Sequence, residues 1–511
     1  MTNRYLFSLF CWLTLSSMAA AQQPLVLSLE DAIDIALNQS YTVQSHRESR
    51  ATSRHYFNYY QNRFKPRLDY TVSAPTWRER VTPIPQANGL PVYNSTGLMQ
   101  VVSDLRFTYT LPTGGDFTLS SQFYREKLKT VLALQDYRKI HSDKAQSSLQ
   151  LSFSQPIFTR NELQEGLEDA RLKLEKIDHS YTRGQYEIIY QVTQSFYGFH
   201  RISRVVDIDQ VELDNSAEAY RIARLRGEAG RIPEGDVLNA EVEFEAARAD
   251  LSESHITFER TRDAFIQLIG LPLDTDIAID VNLNYTPVSV EAEQAVQKAL
   301  KNRLEIQERE LDINLQEIKV DQAGRVREFS GNITAYYDIT GVSTIESGST
   351  SELFNSAFEN IADRPPNRGV TLSLSYPLYD WGRGHERVQQ EQATLRNSQL
   401  ALADTRRTII REVRDIVRSM DEARDRIDIR KKNQDLAQRS YDIALMRFER
   451  GDIDSQDLAQ TQENMSNAQL TYLDAFIKYQ TLLADLKRQT LWDFSDNTPY
   501  DVGEKFQDTK E

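Results

Sequence analysis

The chain has 511 residues, a formal net charge of −15 at pH 7 and one cysteine. An acidic balance of this size argues against nucleic acid as a partner, because a phosphate-binding surface needs clustered lysine and arginine. The cysteine, Cys11, lies in an N-terminal apolar segment, so the rest of the chain can form no disulfide, redox centre or thiolate metal site.

Residues 1–21 have the pattern of a secretory signal peptide. Arg4 precedes the apolar run Tyr5–Leu15, and three alanines at 19–21 provide a small-residue cleavage site. The run is too short to cross a bilayer comfortably, so a retained transmembrane helix is the weaker interpretation. Cys11 lies inside the run rather than at the cleavage site, so we expect no lipid anchor. Since no later apolar segment could span a bilayer as a helix, a mature chain that crosses a membrane must use β-strands.

Two parts of the chain repeat at a separation of 221 residues. Leu151–Phe158 aligns with Leu372–Tyr379, and Tyr220–Asp236 aligns with Tyr441–Asp457 without a gap. Eight of the 17 positions in the second alignment are identical, whereas about one identity would arise by chance at average residue frequencies. The sequence therefore predicts two internal repeats.

Each repeat is predicted to contain, in order, a helix, β segments and a long helical hairpin. The expected boundaries are 22–285 for repeat 1, with β segments at about 66–155, the hairpin at 156–268 and then a linker; 286–494 for repeat 2, with β segments at about 330–377 and the hairpin at 380–491; and 495–511 for a polar C-terminal tail.

Apolar residues recur every three or four positions in the helical segments, which predicts one buried face on each helix. Two such stripes are Leu29, Ala32, Ile33, Ala36, Leu37 and Ser40, and Ile409, Val413, Ile416, Val417, Met420, Ala423 and Ile427. No proline interrupts the chain from about 383 to 450, and a helix of that length would extend roughly 100 Å at 1.5 Å per residue. Such a helix cannot bury its stripe alone, so we expect a coiled coil. A long-helix scaffold without a pore fits these helices equally well.

Several segments alternate apolar with polar residues, as β-strands with two different faces do. They contain Leu68 to Ala74, Leu105 to Leu111, Phe117 to Phe123, Leu149 to Phe153, Ile333 to Tyr337 and Val370 to Tyr376. This alternation suits a barrel wall with lipid on one side and a water-filled lumen on the other, although a half-buried soluble sheet is the alternative. Export and duplication favour the barrel, as do the polar segments Trp77–Asp104 and Gly341–Arg368, which we expect to be extracellular loops.

The number of strands in each chain is left open between four and six. About eight strands are the practical minimum for a lumen, so one chain cannot close a barrel alone. Cyclic association of three chains would give 12 or 18 strands. The undecided element is the hairpin Leu105–Tyr124 around Pro112, which is either an extra membrane-spanning pair or an elaboration outside the membrane.

The duplicated motifs resemble those of TolC-type outer-membrane efflux proteins, the outer membrane factors of tripartite export systems. They are Ser28-Leu-Glu-Asp-Ala, the strand ends Gln155-Pro-Ile-Phe and Tyr376-Pro-Leu-Tyr, and the pattern Arg-x-x-x-Gly-x-Ile that begins at Arg226 and Arg447. The resemblance covers nearly all of the mature chain. It implies a mixed α and β membrane protein, in which a homotrimer shares a 12-stranded antiparallel barrel in the outer membrane. That barrel would continue as a long α-helical coiled-coil barrel through the periplasm.

The resemblance also implies partners and cargo. The tunnel would dock a periplasmic adaptor and an inner-membrane transporter, and would conduct drugs, small toxic compounds or polypeptides outward by efflux or type I secretion.

Two prolines, Pro156 and Pro377, end matched strands and precede matched helices. They could redirect the chain from barrel to tunnel. The plainer interpretation of each is an ordinary helix-start proline.

Gly230 and Gly451 lie between paired helices, where a positive φ is needed to reverse the chain. As helix-ending glycines they need no further role. In the family these turns form the periplasmic tip at which the adaptor docks. The resemblance therefore implies adaptor contact for Gly230, Arg231, Ile232, Gly451, Asp452 and Ile453.

The acid that corresponds to Asp457 in the family lies near the narrowest point of the periplasmic entrance, and Asp236 is the matching acid of repeat 1. Threefold symmetry would bring three Asp457 carboxylates toward the axis, where such a ring attracts cations. The alternative is helix capping, with Asp454 as the N-cap and Asp457 in the first turn. We favour capping for Asp454 and leave both interpretations open for Asp457.

The sequence departs from the family at two entrance positions. Phe448 stands where a lock-forming tyrosine is expected and cannot donate a hydrogen bond, and Gln460 stands where a second acid is expected. We therefore expect a looser or differently held closed state and a weaker cation block.

No motif predicts catalysis, so we expect neither an enzyme nor a bound cofactor or metal. The seven histidines are scattered without metal-ligand spacing, and nothing resembles a metalloprotease motif, a P-loop or a nucleophile elbow. The function that we expect is an outer-membrane exit duct. The alternative is a periplasmic coiled-coil adaptor or structural protein without a pore, although an adaptor typically has one helical hairpin and this sequence predicts two.

Overall fold

A computed structural model describes residues 25–87, 89–281, 286–325, 328–345 and 348–502. The predicted signal peptide with Cys11 and most of the predicted C-terminal tail lie outside these residues. By its contacts the chain divides into two units. The first unit comprises Met1–Glu48, Ser180–Leu304 and Arg406–Glu511, and the second comprises Ser49–His179 and Glu305–Thr405.

The helices and strands of the described residues follow in chain order. The helices are α1 (Leu29–Gln39), α2 (Tyr41–Asn62), α3 (Glu162–Glu228), α4 (Glu234–Ile269), α5 (Ala292–Asn302), α6 (Leu304–Gly324), α7 (Thr350–Glu359), α8 (Arg383–Arg450) and α9 (Ser455–Thr490). The strands are β1 (Leu25–Leu27), β2 (Arg67–Ile84), β3 (Val92–Thr110), β4 (Asp116–Leu132), β5 (Arg138–Ile157), β6 (Ile277–Ile279), β7 (Ser330–Val342), β8 (Asn367–Ser375), β9 (Trp492–Asp493) and β10 (Thr498–Pro499).

The long helices fall in two pairs that match the sequence repeat. Helices α4 and α9 begin and end 221 residues apart, and α3 and α8 begin 221 residues apart. Helix α8 occupies the proline-free segment predicted at about 383–450. In the described part of the chain, no helix combines the length and apolar character that a bilayer crossing requires.

The core of the first unit is built from the predicted stripes. Ala32 and Ala36 of α1 are fully buried and pack in one cluster with aromatic residues of α3 and α4, including Phe196 and Phe265. All seven residues of the predicted α8 stripe, from Ile409 to Ile427, are buried. Small and branched side chains on one helix face thus bury the surface that sequence periodicity indicated.

The second unit contains an antiparallel sheet of six strands in the order β2-β3-β4-β5-β7-β8. Strands β3 and β4 flank the turn at Pro112 and pair along most of their length, from Thr110 opposite Asp116 to Ser95 opposite Val131. The undecided hairpin is therefore an integral part of the sheet, which has six strands rather than four among the described residues. The sheet does not close on itself, since β2 and β8 each have one unpaired edge.

Two segments predicted to be loops are largely regular structure. Most of Trp77–Asp104 belongs to β2 and β3, which are joined by the short connection at 85–91. The segment Gly341–Arg368 includes helix α7, which begins with a capping box formed by Ser349 and Glu352. Polar residues on both faces hid these strand extensions, because the prediction relied on apolar and polar residues in alternation.

Candidate functional site

One face of the sheet is apolar and exposed. Residues that pair directly across strands lie on the same face, and Leu68, Phe107, Leu119, Leu151 and Tyr337 form one row across five strands. Leu68 is 65% exposed. Further rows contain Tyr109, Phe117, Phe153, Ala335 and Val370, and Tyr70, Leu105, Leu149 and Ile339. A soluble sheet would cover such a surface with another layer.

The opposite face of the same strands is polar. Asp69, Arg106, Ser120, Gln150 and Asp338 form a row across five strands, one residue away from the apolar row. Arg106 donates a hydrogen bond to Asp104 at 2.8 Å on this face. The sheet therefore separates an apolar surface from a hydrophilic one along its whole width.

The two predicted strand-to-helix prolines occupy different local structures. Pro156 is the second-last residue of β5, where pairing with β4 has already ended at Ser154, whereas Pro377 lies two residues beyond β8. The chain changes direction between strand and helix at residues with a left-handed backbone conformation. These are Phe158 at φ 59° after the first proline and Trp381 at φ 58° after the second. The prolines thus lie at the transition, but the left-handed residues that follow them were missed.

Side-chain caps start the two long helices that follow. Asn161 Oδ1 accepts a hydrogen bond from the N–H of Leu163 at 2.9 Å, and Asp380 Oδ1 accepts one from Gly382 at 3.0 Å. Asn161 also donates to the carbonyl of Pro112 at 2.6 Å, which ties the β3–β4 turn to the start of α3.

The turns between the paired helices have nearly the same backbone. Gly230 and Gly451 have φ of +65° and +86°, in the left-handed region that a glycine after the last turn of an α-helix commonly adopts. The N–H of Arg231 donates to the carbonyl of Arg226 at 2.8 Å, and the N–H of Asp452 donates to that of Arg447 at 2.9 Å. Ile232 and Ile453 follow as the half-buried residues of each turn.

Helix capping distinguishes the two turns. The Asp454 carboxylate accepts a hydrogen bond from the N–H of Asp457 at 2.8 Å, which confirms Asp454 as the N-cap of α9. Pro233 occupies the matching position before α4 and provides no side-chain cap, so Asp236 stands in the first turn of an uncapped helix. The Asp457 carboxylate is exposed, and this placement suits both a first-turn acid and an entrance acid.

A contact that the sequence did not reveal joins the two hairpins near these turns. The guanidinium of Arg226 on α3 lies over the ring of Phe448, 5.4 Å from the ring centre. It also donates hydrogen bonds to the carbonyls of Phe448 at 3.2 Å and Glu449 at 3.4 Å. Phe448 is buried against Ile222 of α3 and Leu458 of α9. We call this group the Arg226 latch; it supplies polar contacts that the phenylalanine side chain itself cannot make.

Gln460 also has a partner that the sequence did not indicate. Its amide donates to the Glu463 carboxylate at 3.1 Å, one turn further along α9. Asp457, Gln460 and Glu463 recur every three residues, so they lie near one another on the helix surface. An acid therefore stands one turn beyond the position at which the second entrance acid was expected.

Carboxylates from three helices face one another in the first unit. Burial raises the pKa of Glu212 on α3, and the negative charges of Asp209, Asp250, Glu463 and Glu243 raise it further. Burial likewise raises the pKa of Asp209, with a smaller contribution from Asp250 and an opposing hydrogen bond from Ser254. In the described residues, no group of three or more His, Cys, Asp or Glu side chains could hold a metal ion.

Comparison with known proteins identifies a family and a shared fold. The sequence profile of the family described as "Outer membrane efflux protein" matches residues 32–271 and 295–490, more than half of the chain. No curated protein matches at a significant level. Among solved structures, the CmeC outer membrane channel of Campylobacter jejuni superposes with a TM-score of 0.67 at 14% identity, covering 94% of this chain and 88% of that one.

Two further channels have the same fold. The outer membrane protein VceC of Vibrio cholerae superposes with a TM-score of 0.64 at 14% identity, covering 93% of this chain and 97% of that one. The open state of the MtrE outer membrane channel of Neisseria gonorrhoeae gives 0.61 at 15% identity, covering 90% and 88%. At these identities the superpositions establish the fold alone.

Proposed function

Because the chain belongs to the outer membrane efflux protein family, we propose that three copies of it form the exit duct of a tripartite export system. Members of this family are outer-membrane efflux channels that extend into the periplasm. The proposal adds the trimer, the internal duplication and the periplasmic partners. A pore-free periplasmic adaptor is not favoured, since it would leave the exposed apolar face of the sheet unexplained.

The observation that carries the trimer is the open sheet with two different faces. Unpaired edges at β2 and β8 are templates for pairing with another chain. Three chains with six strands each give 18 strands, and barrels of 16 to 18 strands leave an aqueous channel. The apolar rows then face lipid and the polar rows face the lumen. This count differs from the 12 strands that the family resemblance implies.

We assign the helical hairpins to the periplasmic part of the duct. The turns at Gly230 and Gly451 are the proposed docking points for an adaptor, with Arg231, Ile232, Asp452 and Ile453 as contact residues. Asp457 is the proposed entrance acid, and the Arg226 latch holds the closed state in place of a tyrosine at 448. The duct is passive, and the inner-membrane transporter determines the cargo.

Disulfide cross-linking across the proposed edge contact tests the trimer. The natural chain has no cysteine after Cys11, so introduced pairs give an unambiguous result. We would combine Thr71→Cys on β2 with Thr371→Cys, Ser373→Cys or Ser375→Cys on β8. Oxidation in membranes should produce covalent dimers and trimers for at least one pair.

The matched control places the first cysteine on a central strand, as Ser120→Cys with Thr371→Cys, which should remain monomeric after oxidation. If no edge pair cross-links between chains while the protein stays in the outer membrane, the shared barrel is wrong.

A further inference from the structure

The sheet has one end that carries the helices and one that does not. Strands β2 and β7 follow α2 and α6, whereas β5 and β8 lead into α3 and α8, so all four connections lie at one end. The short turn at 111–115 lies at this end too. In a family whose helices extend into the periplasm, the opposite end faces the outside of the cell.

Helix α7 covers the outer limit of the apolar face. Leu353 and Ala357 are fully buried. A Cβ at Gly341 of β7 would clash with the carbonyl oxygen of Ala357, so only glycine permits the contact. The ring of Phe354 packs edge-on against Phe123 of β4, with 5.1 Å between centroids. The helix therefore lies on the same sheet face as the apolar rows.

The aromatic side chains of α7 remain partly uncovered. Phe354 and Phe358 stack on each other and are 40% and 57% exposed. Aromatic side chains concentrate at the level where acyl chains meet headgroups. The position of these two rings marks that level on the outer side of the sheet.

Beyond this level the same face of β4 carries Arg125 and then two lysines. Lys127 and Lys129 lie four and six residues beyond Phe123, and residues at even separations along a strand lie on the same face. Lys139 of β5 lies on this face too, because it pairs with Val131 of β4. At about 3.4 Å per residue, Lys127 and Lys129 lie roughly 14 and 20 Å beyond Phe123. We call Lys127, Lys129 and Lys139, all exposed, the lysine face.

The lysine face is incompletely neutralised. Asp143 is engaged mainly by Arg125, at 2.8 Å, while its nearest oxygen is 3.9 Å from Lys127. Within the described residues, Lys129 and Lys139 form no salt bridge. Arg125 also donates to the carbonyl of Gly348 at 2.9 Å, which fixes the segment that leads into α7.

Arg125 on the same face brings the cations there to four, against two carboxylates, Asp143 and Glu79. Glu79 lies in the row of Lys129 through Gly97 and accepts a hydrogen bond from Ser95 at 3.1 Å. This face thus keeps an excess of positive charge on a chain of net charge −15.

We propose that the lysine face binds a phosphorylated lipid of the outer leaflet. Its acyl chains lie along the apolar rows and the rings of Phe354 and Phe358, and its phosphates lie against Lys127, Lys129 and Lys139. Lysine stems can extend along apolar surface while the ammonium groups reach the phosphates. Charge complementarity selects an anionic headgroup over a zwitterionic one. The inference rests on the proposed placement of the sheet in the membrane.

The test compares a triple variant with a charge-matched control. Lys127→Gln, Lys129→Gln and Lys139→Gln together remove the lysine face. Arg78→Gln, Arg138→Gln and Lys144→Gln together remove three exposed cations from the opposite face of the same strand extensions. Diphosphoryl lipid A, phosphatidylethanolamine and inorganic phosphate are titrated into each purified full-length protein in detergent, and binding is followed by native mass spectrometry and thermal shift.

We expect diphosphoryl lipid A to bind the wild type and the control variant alike, and the lysine-face variant about a hundredfold more weakly, since each lysine near a charged headgroup contributes about fivefold. Equal binding to the lysine-face variant overturns the proposal. Saturation by inorganic phosphate with no preference for the lipid overturns the lipid assignment, and equal affinity for phosphatidylethanolamine overturns the charge selection.

Planar-bilayer conductance of the same samples separates this inference from the proposed function. A conducting wild type without lipid preference refutes only the lipid site. A wild type that never conducts refutes the channel on which the site depends.

Discussion

Arg226 is the residue whose role departs most from the sequence expectation. Its guanidinium contacts both the ring and the carbonyl of Phe448, so the two hairpins share a polar contact without a tyrosine at 448. Loss of a partly exposed cation–π contact and two long hydrogen bonds should cost about 1–2 kcal/mol. Arg226→Gln should therefore raise the open population of the entrance roughly 5- to 30-fold, measured as the open probability in single-channel recordings.

Arg221→Gln on the same helix is the control for this change. Arg221 is exposed and forms an ion pair with Glu218 one turn away, so its loss should leave the open probability unchanged. Equal open probabilities for Arg226→Gln and Arg221→Gln would show that the Arg226 latch does not hold the tip.

Asp457 provides a second prediction at the entrance. Its carboxylate is exposed, and its backbone N–H donates a hydrogen bond to the Asp454 carboxylate. Because alanine keeps this N–H, Asp457→Ala leaves the N-cap intact. If three carboxylates line the axis, their removal should lower cation selectivity severalfold, measured as a reversal potential in a salt gradient. Asp236→Ala is the matched variant in repeat 1, and an unchanged potential for Asp457→Ala would leave helix-start stabilisation as its only role.

The environment of Glu212 predicts that its contribution to stability falls as pH rises, the opposite of a carboxyl group whose pKa is lowered. Its folded pKa is raised above the ordinary 4.5 by burial and by neighbouring acids, so the folded state binds its proton more tightly than the unfolded state. Stability from this group is complete below pH 4.5 and is lost as pH rises through the raised pKa. Glu212→Gln should flatten that slope and raise the unfolding temperature at pH 7 by about 1–2 °C, followed by circular dichroism.

Glu218→Gln should behave in the opposite way. The Arg221 hydrogen bond lowers the Glu218 pKa, so its contribution is present above pH 4.5 and is lost as pH falls through the lowered value. Similar pH profiles for both variants would mean that the carboxylates around Glu212 do not repel one another in solution.

At the scale of the element, sequence periodicity was most informative where one side of a helix or strand is buried or apolar. The α8 stripe and the strands at Leu105 and Phe117 were predicted because their apolar residues recur with one period. The outer halves of β2 and β3 were missed because Arg78, Glu79 and Arg80 carry charge on both faces. The Arg226 latch was missed because its partners are 222 residues apart, a separation that no local pattern reports.

The turns at Gly230 and Gly451 allow a prediction about the stability of the helix ends that precede them. Gly230 and Gly451 have open space around a would-be Cβ, so alanine there meets no clash and only the left-handed backbone is penalised, by about 1 kcal/mol. Either substitution should lower amide protection in the last turn of α3 or α8 by about fivefold in hydrogen exchange. Gly235→Ala, in helical backbone with equally open space, should preserve or increase protection. Lowered protection in Gly235→Ala as well would assign the effect to side-chain bulk.

At the scale of the whole molecule, the strand count would determine the width of the outer pore in the proposed shared barrel. Strands β2 and β5 are antiparallel to β3 and β4 respectively, so β2 and β5 run in opposite directions and could pair if Val92–Leu132 were removed. Such a deletion keeps the apolar faces of β2 and β5 on the same side of the sheet, because Leu68 and Leu151 already lie in one cross-strand row. The proposed trimer would then share 12 strands rather than 18.

Barrel diameter grows roughly linearly with strand number, so the deletion should narrow the outer pore to about two thirds of its diameter. In the proposed duct the periplasmic entrance is the narrowest part and would limit ionic conductance in both forms, so the appropriate measurement is polymer exclusion from the extracellular side. Polyethylene glycols of graded size should block the wild-type pore up to a larger radius than they block the deletion variant. An unchanged size limit, with trimers retained by both proteins, would mean that β3 and β4 lie outside the barrel wall.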